Sequence, residues 1–468
     1  MNFRIALLFS LAAAACPAAD IASPNFTVAD LFVTTKIWNA HLTITPDQWK
    51  FMQPIQVNRQ AERRAHPEKA SRNGFLAAQG VEFRYAHGDL DFEGKVFHDV
   101  GVRFKGNGTY LNSVRSYMGG PAEPTDKVPY KIHLNEFVKG QKLGAGINIL
   151  DFRNNITDAS WMNEVLGYRM YRDAGVPSPR TTYARLYLTI PGKMENRLLG
   201  LYSLSEDVGP PMLAEHFSDG KGTLLKPSDL SAFSLFRYRG DSWADYVQTL
   251  DPKEAMTPAD QKRIIDFCRL VSKASDTELA QQLGNYVDLA EFARFMAVTV
   301  WLSDGDGVMD SAQNFYAYLD PRSQKLSFIP WDLDHSFGQF PQRLNQKQRE
   351  TRPLLPPWYR SNPFLERVFK VPAFRERYLA HMREFSRTLF DPVRLAAQVD
   401  QLAPYIRPAV AEQAHVAHSD ALERFDKAIA GQALSLREFG DGDIVPIKPF
   451  AVHRAKFVND QLDRLRIP

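Results

Sequence analysis

The stretch FIPWDLDHSFG, residues 328–338, sets two carboxylates, Asp332 and Asp334, among aromatic and aliphatic side chains. A carboxylate in such surroundings is costly unless it is paired, hydrogen-bonded or bound to a cation. Two chemistries fit: a turn whose aspartates cap backbone amides, or a cation site. Upstream, WLSDGDGVMDSAQNFYAY (301–318) carries Asp304, Asp306 and Asp310, followed by Asn314. An EF-hand calcium loop fails here, because Val308 takes the third acidic position and Phe315 stands where the bidentate glutamate belongs. Phosphoryl transfer uses an aspartate to orient the acceptor, then an asparagine and a second aspartate, past a short hairpin, to hold magnesium. Asp306, Asn314 and Asp332 occur in that order, the second eight positions after the first. That spacing is long, and it leaves Asp310 as an alternative base.

The same chemistry needs groups that hold phosphates. No GxxxxGK[ST] segment occurs, which argues against a P-loop NTPase. FKGNGTYLN (104–112) offers Gly106 and Gly108 between two expected strands, flanked by Arg103 and Lys105. Most two-glycine turns are hairpins, and the flanking cations suit either phosphates or a solvated edge. Lys127 and Lys131 bracket the next strand, with Lys131 and His133 on one face opposite Tyr130, Ile132 and Leu134. Either lysine alone reads as a surface charge. Glu164 lies on or beside the apolar stripe of the following helix, formed by Met162, Val165, Leu166 and Met170.

The elements that must position these groups fall into two halves. Residues 36–46 alternate as a strand, 55–75 read as a polar loop, and two strands follow around the turn in DFEG. VPYKIHL (128–134) is a strand, and DASWMNEVLGYRMYRDAG is a helix with Asp158 as N-cap and Gly175 as its stop. TTYARLYLTI and RLLGLYSLSE are two more strands. After that, residues 258–273, 287–302, 363–390 and 392–416 carry helical periodicity, interrupted by a hairpin at 314–330 with its turn at Asp320–Gln324. The predicted class is α+β, with the outline of a protein-kinase-like two-lobed fold: a β-rich N-lobe with one key helix and a mainly helical C-lobe. An outline of this kind is analogy, not evidence of function. RPLLPPWYRSNPF (352–364) reads as an exposed docking loop or a lid packed on the core.

The chain's 468 residues suffice for a two-lobed domain, and a net charge of +3 with no long Lys/Arg run does not point to nucleic acid. MNFRIALLFSLAAAACPAAD has the basic start, short apolar run and small residues of a secretory signal peptide. Cleavage is expected between Ala15 and Ala19, with lipidation at Cys16 as the alternative. No later segment is apolar and long enough for a membrane span. Two cysteines exclude a disulfide framework, and Cys268 in IIDFCRLV reads as a core residue. The expected organisation is a signal peptide at 1–19, a strand-and-loop extension at 20–94, an N-lobe at 95–210 and a C-lobe at 211–468.

Six spaced segments resemble one known family. GVRFKGNGTY, KVPYKIHLNEFVKGQKLGAG, DASWMNEVLGYRMYRDAGVPSPRTTYARLYLTIPGK, LLGLYSLSEDV, GTLLKP and NFYAYLDPRSQKLSFIPWDLDHSFG occur in its order, over residues 95–340. The chain is similar to the spore coat protein H family of secreted, atypical protein-kinase-like proteins. That resemblance implies a kinase-like fold, ATP with Mg2+ or Mn2+, and phosphorylation of Ser or Thr on extracytoplasmic proteins or on the chain itself. It implies Asp306 as catalytic aspartate, and Asn314 and Asp332 as metal ligands. It implies Glu164 as partner of the nucleotide lysine, with Lys127 or Lys131 as that lysine. Glu206 would lie beside the adenine at the crossing between lobes, and Asp334 would organise the turn. Two departures stand out: Gly108 precedes Thr109 where a small hydroxyl residue is usual, and Gln313 replaces a histidine before Asn314. Two other readings compete. One is a non-catalytic surface or adhesion scaffold, in keeping with an ATP-poor compartment. The other is a metal-dependent phosphohydrolase, for which His335 is the one nearby histidine.

Overall fold

Alternation in Ile37–Thr43 (β1) turns Trp38, Ala40 and Leu42 to one side, and that side becomes the interior of a closed barrel. This computed structural model describes residues 27–65, 75–114, 127–217, 220–227, 231–340, 344–435 and 443–465. The expected signal peptide and Cys16 lie outside the described residues. β1 is followed in the barrel by Ala86–Phe92 (β2), Lys95–Phe104 (β3), Tyr130–His133 (β4), Ile149–Arg153 (β5), Thr181–Ile190 (β6) and Met194–Glu206 (β7). The strand order is β1-β2-β3-β4-β5-β7-β6, antiparallel throughout except where β6 closes on β1 in parallel. The β2–β3 turn is two residues long, Glu93 and Gly94, both left-handed, a backbone twist that suits a tight hairpin. Residues 37–92, expected as an extension, thus supply two of the barrel's strands.

Charged and apolar residues alternate along β3, β4 and β5. Phe104, Tyr130, Ile132, Leu150 and Phe152 fill the barrel. The intervening Arg103, Lys131 and Asp151 fall opposite one another across the three strands, on the outer face. β5 was not expected from the sequence: Asp151 and Arg153 give ILDFR too little apolar character to read as a strand. Tertiary packing completes it, because its charged face looks into a cavity instead of water.

Lys105–Gly106–Asn107 does not join two strands directly, as the paired glycines implied. Gly106 is left-handed and the chain turns into a short helix, Gly108–Val114 (α1). Residues 55–75, expected as a loop, include a helix at Arg59–Ala65. The key helix is Asn163–Asp173 (α2). It begins later than expected, with Asp158 accepting from the Asn163 amide at 2.7 Å without being the N-cap residue, and it stops at left-handed Gly175.

The second half packs helices around a small sheet of Thr223–Leu225 (β8), Phe315–Leu319 (β9) and Leu326–Pro330 (β10). Pro258–Lys273 (α3) matches the expected helix, and Leu289–Leu302 (α4) is apolar nearly all round, as befits a helix buried on every side. The expected helix at 363–390 is two, Pro363–Val368 (α5) and Pro372–Phe385 (α6), because Pro372 starts a new first turn. Pro392–Ala417 (α7) lies against the barrel strand β7. Cys268 is buried, as expected.

Candidate functional site

A cavity of about 720 Å³ lies between the outer face of β3–β5 and the β8–β10 sheet. Its upper wall carries Lys105, Lys131, Asp151 and Arg153, and its floor Lys226, Tyr316, Trp331 and Asp332. Lys105 Nζ lies 3.0 Å from Asp151 Oδ1, and Lys131 Nζ lies 2.8 Å from Asp207 Oδ1. Burial acts to raise Asp151, but Lys105, Lys131 and Arg153 outweigh it and hold the carboxyl well below its usual range. Burial pushes the Lys105 amine down to about 8, with Arg153 adding to the effect and Asp151 opposing it. The cavity wall is therefore a dense, charged lattice in which cations and carboxylates are interleaved.

Glu164, at the start of α2, is 1% exposed and faces a cation that is not a lysine. Its Oε1 lies 3.5 Å from Arg153 Nε, and Ser203 Oγ donates to Oε2 at 3.3 Å. Arg153 in turn donates to Asp332 from Nη1. Burial raises Glu164 to about 7, with Arg153 opposing that rise. α2 packs closely on the turn after β10 because residue 167 is glycine: a Cβ there would lie 2.9 Å from Ser336 Oγ and 3.3 Å from Leu333 Cβ. The partner of Glu164 was expected among the lysines. Lys131 is in the cavity but engages Asp207 and Asp151. Lys127 is half-buried over the rings of Trp161 and Tyr202, at 5.2 and 5.5 Å, and does not line the cavity. Burial pushes its amine down to about 7. Arg153 was missed because its strand was missed; the signal was the alternation of Leu150 and Phe152 with Asp151 and Arg153, and in the sheet Asp151 pairs with Lys131 while Ile149 pairs with His133.

Asn314 and Asp332 sit at the two ends of the β9–β10 hairpin, which brings them to the same edge. Trp331 N donates to Asn314 O at 3.0 Å, and both Asn314 and Asp332 are left-handed, a conformation that Asn and Asp tolerate better than most residues. Asn314 Nδ2 donates to Asp306 Oδ2 at 2.9 Å, and Gln313 Nε2 donates to Asp306 Oδ1 at 2.8 Å. Burial lifts the Asp306 carboxyl to about 7, with His335 opposing and Asp304 adding to the rise. Asp310 has a different occupation. It lies 2.9 Å from Arg352 Nη2 and accepts from Tyr359 N at 2.8 Å. The proline-rich segment that carries Arg352 and Tyr359 is thus a brace packed on this loop: Asn362 Nδ2 also donates to Val308 O at 2.9 Å.

Asp332 engages Arg153 instead of capping its own turn, and its amide is held by Tyr168 Oη at 3.0 Å. Burial would raise this carboxyl, but Arg153, Lys105 and Lys226 outweigh it and lower it. Asp334 accepts from Thr157 Oγ1 at 3.3 Å. Glu206 is locked by Arg180, whose Nη2 and Nε lie 2.6 and 2.9 Å from its carboxylate. Its side chain therefore does not line the cavity, and the next residues, Asp207 and Val208, do. Of the two glycines, Gly106 lines the cavity and Gly108 does not.

The oxygen donors of Asp332 and Asn314 suit a hard divalent cation. Among the described residues no three His, Cys, Asp or Glu converge to hold a metal by themselves. Magnesium needs no such cage, since it is held by one or two carboxylates and completed by water and substrate phosphates. The donor set fits a magnesium ion that arrives with a polyphosphate. No described helix is long and apolar enough to cross a membrane.

The family described as CotH kinase protein matches residues 102–439. Spore coat protein homolog 1 of Rhizopus delemar is 19% identical over 270 residues, 56% of this chain. The aligned region spans 42% of that relative's length.

Proposed function

We propose, since this chain belongs to the CotH kinase protein family, that it is an atypical protein kinase acting on Ser or Thr of extracytoplasmic proteins or on itself. In this reading the barrel and α2 are the N-lobe, with residues 95–210 at its centre, and residues 211–468 are the C-lobe. The observation that carries the reading is the meeting of two sets of groups. Lys105, Lys131, Arg153 and Asp332 share one cavity, and the Asp306–Asn314 pair stands at the base of the same hairpin as Asp332.

The roles follow from charge and position. Lys105, Lys131 and Arg153 bind the nucleotide phosphates, and Glu164 orients Arg153. The backbone after Glu206, at Asp207 and Val208, faces the base. Asp332 and Asn314 would hold Mg2+ or Mn2+, which when bound neutralises charge on the phosphate oxygens. Asp306 orients the acceptor hydroxyl and takes its proton. The hydroxyl oxygen bonds to the γ-phosphorus as the bond to the β-phosphate oxygen breaks, leaving a phosphoester and ADP. A carboxyl lifted towards neutrality is well matched to that proton transfer. Gln313 and Asn314 fix its orientation before substrate arrives.

The scaffold reading draws support from one feature, the ion pair that Arg153 makes with Asp332. A nucleotide with its metal must loosen that pair. Thermal unfolding with and without ATP and magnesium discriminates, because a ligand that binds the native state raises the midpoint. A rise, together with transfer of labelled phosphate, supports the kinase. No rise and no transfer, with either magnesium or manganese, would put the scaffold ahead.

A further inference from the structure

The floor of the cavity carries a pair of cations for which the phosphate-binding roles above find no use. Past the end of β8, the chain pairs with a second segment: Lys226 N donates to Asp251 O at 3.1 Å, and Lys253 N to Leu224 O at 2.9 Å. Leu225 and Pro252 form an antiparallel bridge between them. Asp251 turns the chain into this pairing in a left-handed conformation. Lys226 and Lys253 are thereby laid on neighbouring strand segments, and both line the cavity, Lys253 with the Asp251 carboxylate as its ion-pair partner.

Lys226 Nζ stands 5.1 Å from the Tyr316 ring centre and 5.3 Å from that of Trp331. The same indole has Lys105 Nζ at 5.3 Å and the Arg153 guanidinium at 4.8 Å. One ring is thus surrounded by three cations, two from the barrel and one from the helical half. An aromatic face attracts each of them, and Asp151 and Asp332 pair with the two barrel cations. A phosphate chain lying across the indole would meet all three cations at once.

We propose that Lys226 and Lys253 form an anion subsite on the helical half of the cavity, gripping the nucleotide's phosphate chain from the side opposite Lys105 and Lys131. The polyphosphate then ties the two halves together. This rests on the nucleotide reading of the same cavity, but its chemical core is wider: the floor recognises a chain of phosphates.

Titration calorimetry on the full chain separates the two ideas, using inorganic tripolyphosphate, ATP with magnesium, and adenosine as probes. Lys226→Gln should weaken tripolyphosphate and ATP by about tenfold or more, the loss expected for one charge-assisted contact, and leave adenosine unchanged. Lys253→Gln should show a smaller loss of the same kind, and Lys226→Arg should recover most of the affinity. These last two variants keep the test open if Lys226→Gln does not fold. Parental affinity for both phosphate probes in Lys226→Gln and Lys253→Gln, with loss in Lys105→Gln, would overturn the subsite and leave the kinase reading standing. Tripolyphosphate binding that depends on Lys226, without binding of ATP or adenosine, would support the subsite and sink the nucleotide reading. A parent chain that binds none of the three probes overturns both.

Discussion

Asp306 and Asp310 are four residues apart and cannot be ranked by spacing, yet their neighbours give them different work. Asp306 is held by two neutral amides, which leave its charge available. Asp310 is spent on a buried arginine: the Arg352 side chain is 1% exposed. Asp306→Asn should therefore keep the fold and nucleotide binding while labelled-phosphate transfer falls by about 10²–10⁴, the range for loss of a general base. Asp310→Asn should instead destabilise the chain, by about 3 kcal/mol or more, as expected for breaking a buried ion pair, and denaturant titration would show it. Full stability in Asp310→Asn, with transfer lost, would reverse the assignment. The lysines allow a second comparison. Lys105→Met should abolish most ATP affinity, whereas Lys127→Met, outside the cavity, should bind ATP as the parent does in calorimetry.

At the scale of elements, α4 and β10 are bolted together by Glu291. It is buried, and Phe328 N donates to its Oε2 at 3.0 Å. Burial raises this carboxyl well above its ordinary value, with Asp288 adding to the rise and Arg294 and the Phe328 amide opposing it. The folded state therefore holds a proton that the unfolded state releases, and stability falls as pH rises above the unfolded value of about 4.5. Glu291→Gln keeps an acceptor for Phe328 and removes the titration. Its melting temperature should exceed the parent's at pH 8 and approach it near pH 4. An unchanged difference across that range would mean that Glu291 is charged in the fold. Element assignment from sequence succeeded where one physical signal dominated, as in α3, α4 and the β9–β10 hairpin. It failed for β5, whose charged residues are buried by a wall that no local pattern announces.

On the scale of the whole molecule, the barrel and the helical half meet along α7. Leu201 N donates to Gln413 Oε1 at 2.9 Å, and Arg185 Nε to Glu412 Oε2 at 2.8 Å. The close approach depends on Gly200, in the positive-φ region, where a Cβ would collide with the Gln413 side chain. Gly200→Ala should lower stability by about 1–3 kcal/mol, the usual cost of overpacking. Calorimetric scanning should also broaden or split the transition as the halves uncouple. A single sharp transition at the parental temperature would show that the contact is not needed.

The types and order of Asp306, Asn314 and Asp332, the hairpin between the last two, the alternation of Lys131 and His133 and the division into a β-rich and a helical half were all legible in the sequence. Each is a local or ordered property of the chain. Which cation meets Glu164, which of Asp306 and Asp310 pairs with an arginine and what the proline-rich segment does were decided only in three dimensions. Arg153 and Asp332 are 179 residues apart and touch. Arg352 reaches back to Asp310 from another segment, and Lys127 is drawn off to Trp161. Charged groups choose partners by proximity in a low-dielectric interior, and that proximity is set by how the barrel, α2 and the helical half pack, which no spacing along the chain encodes.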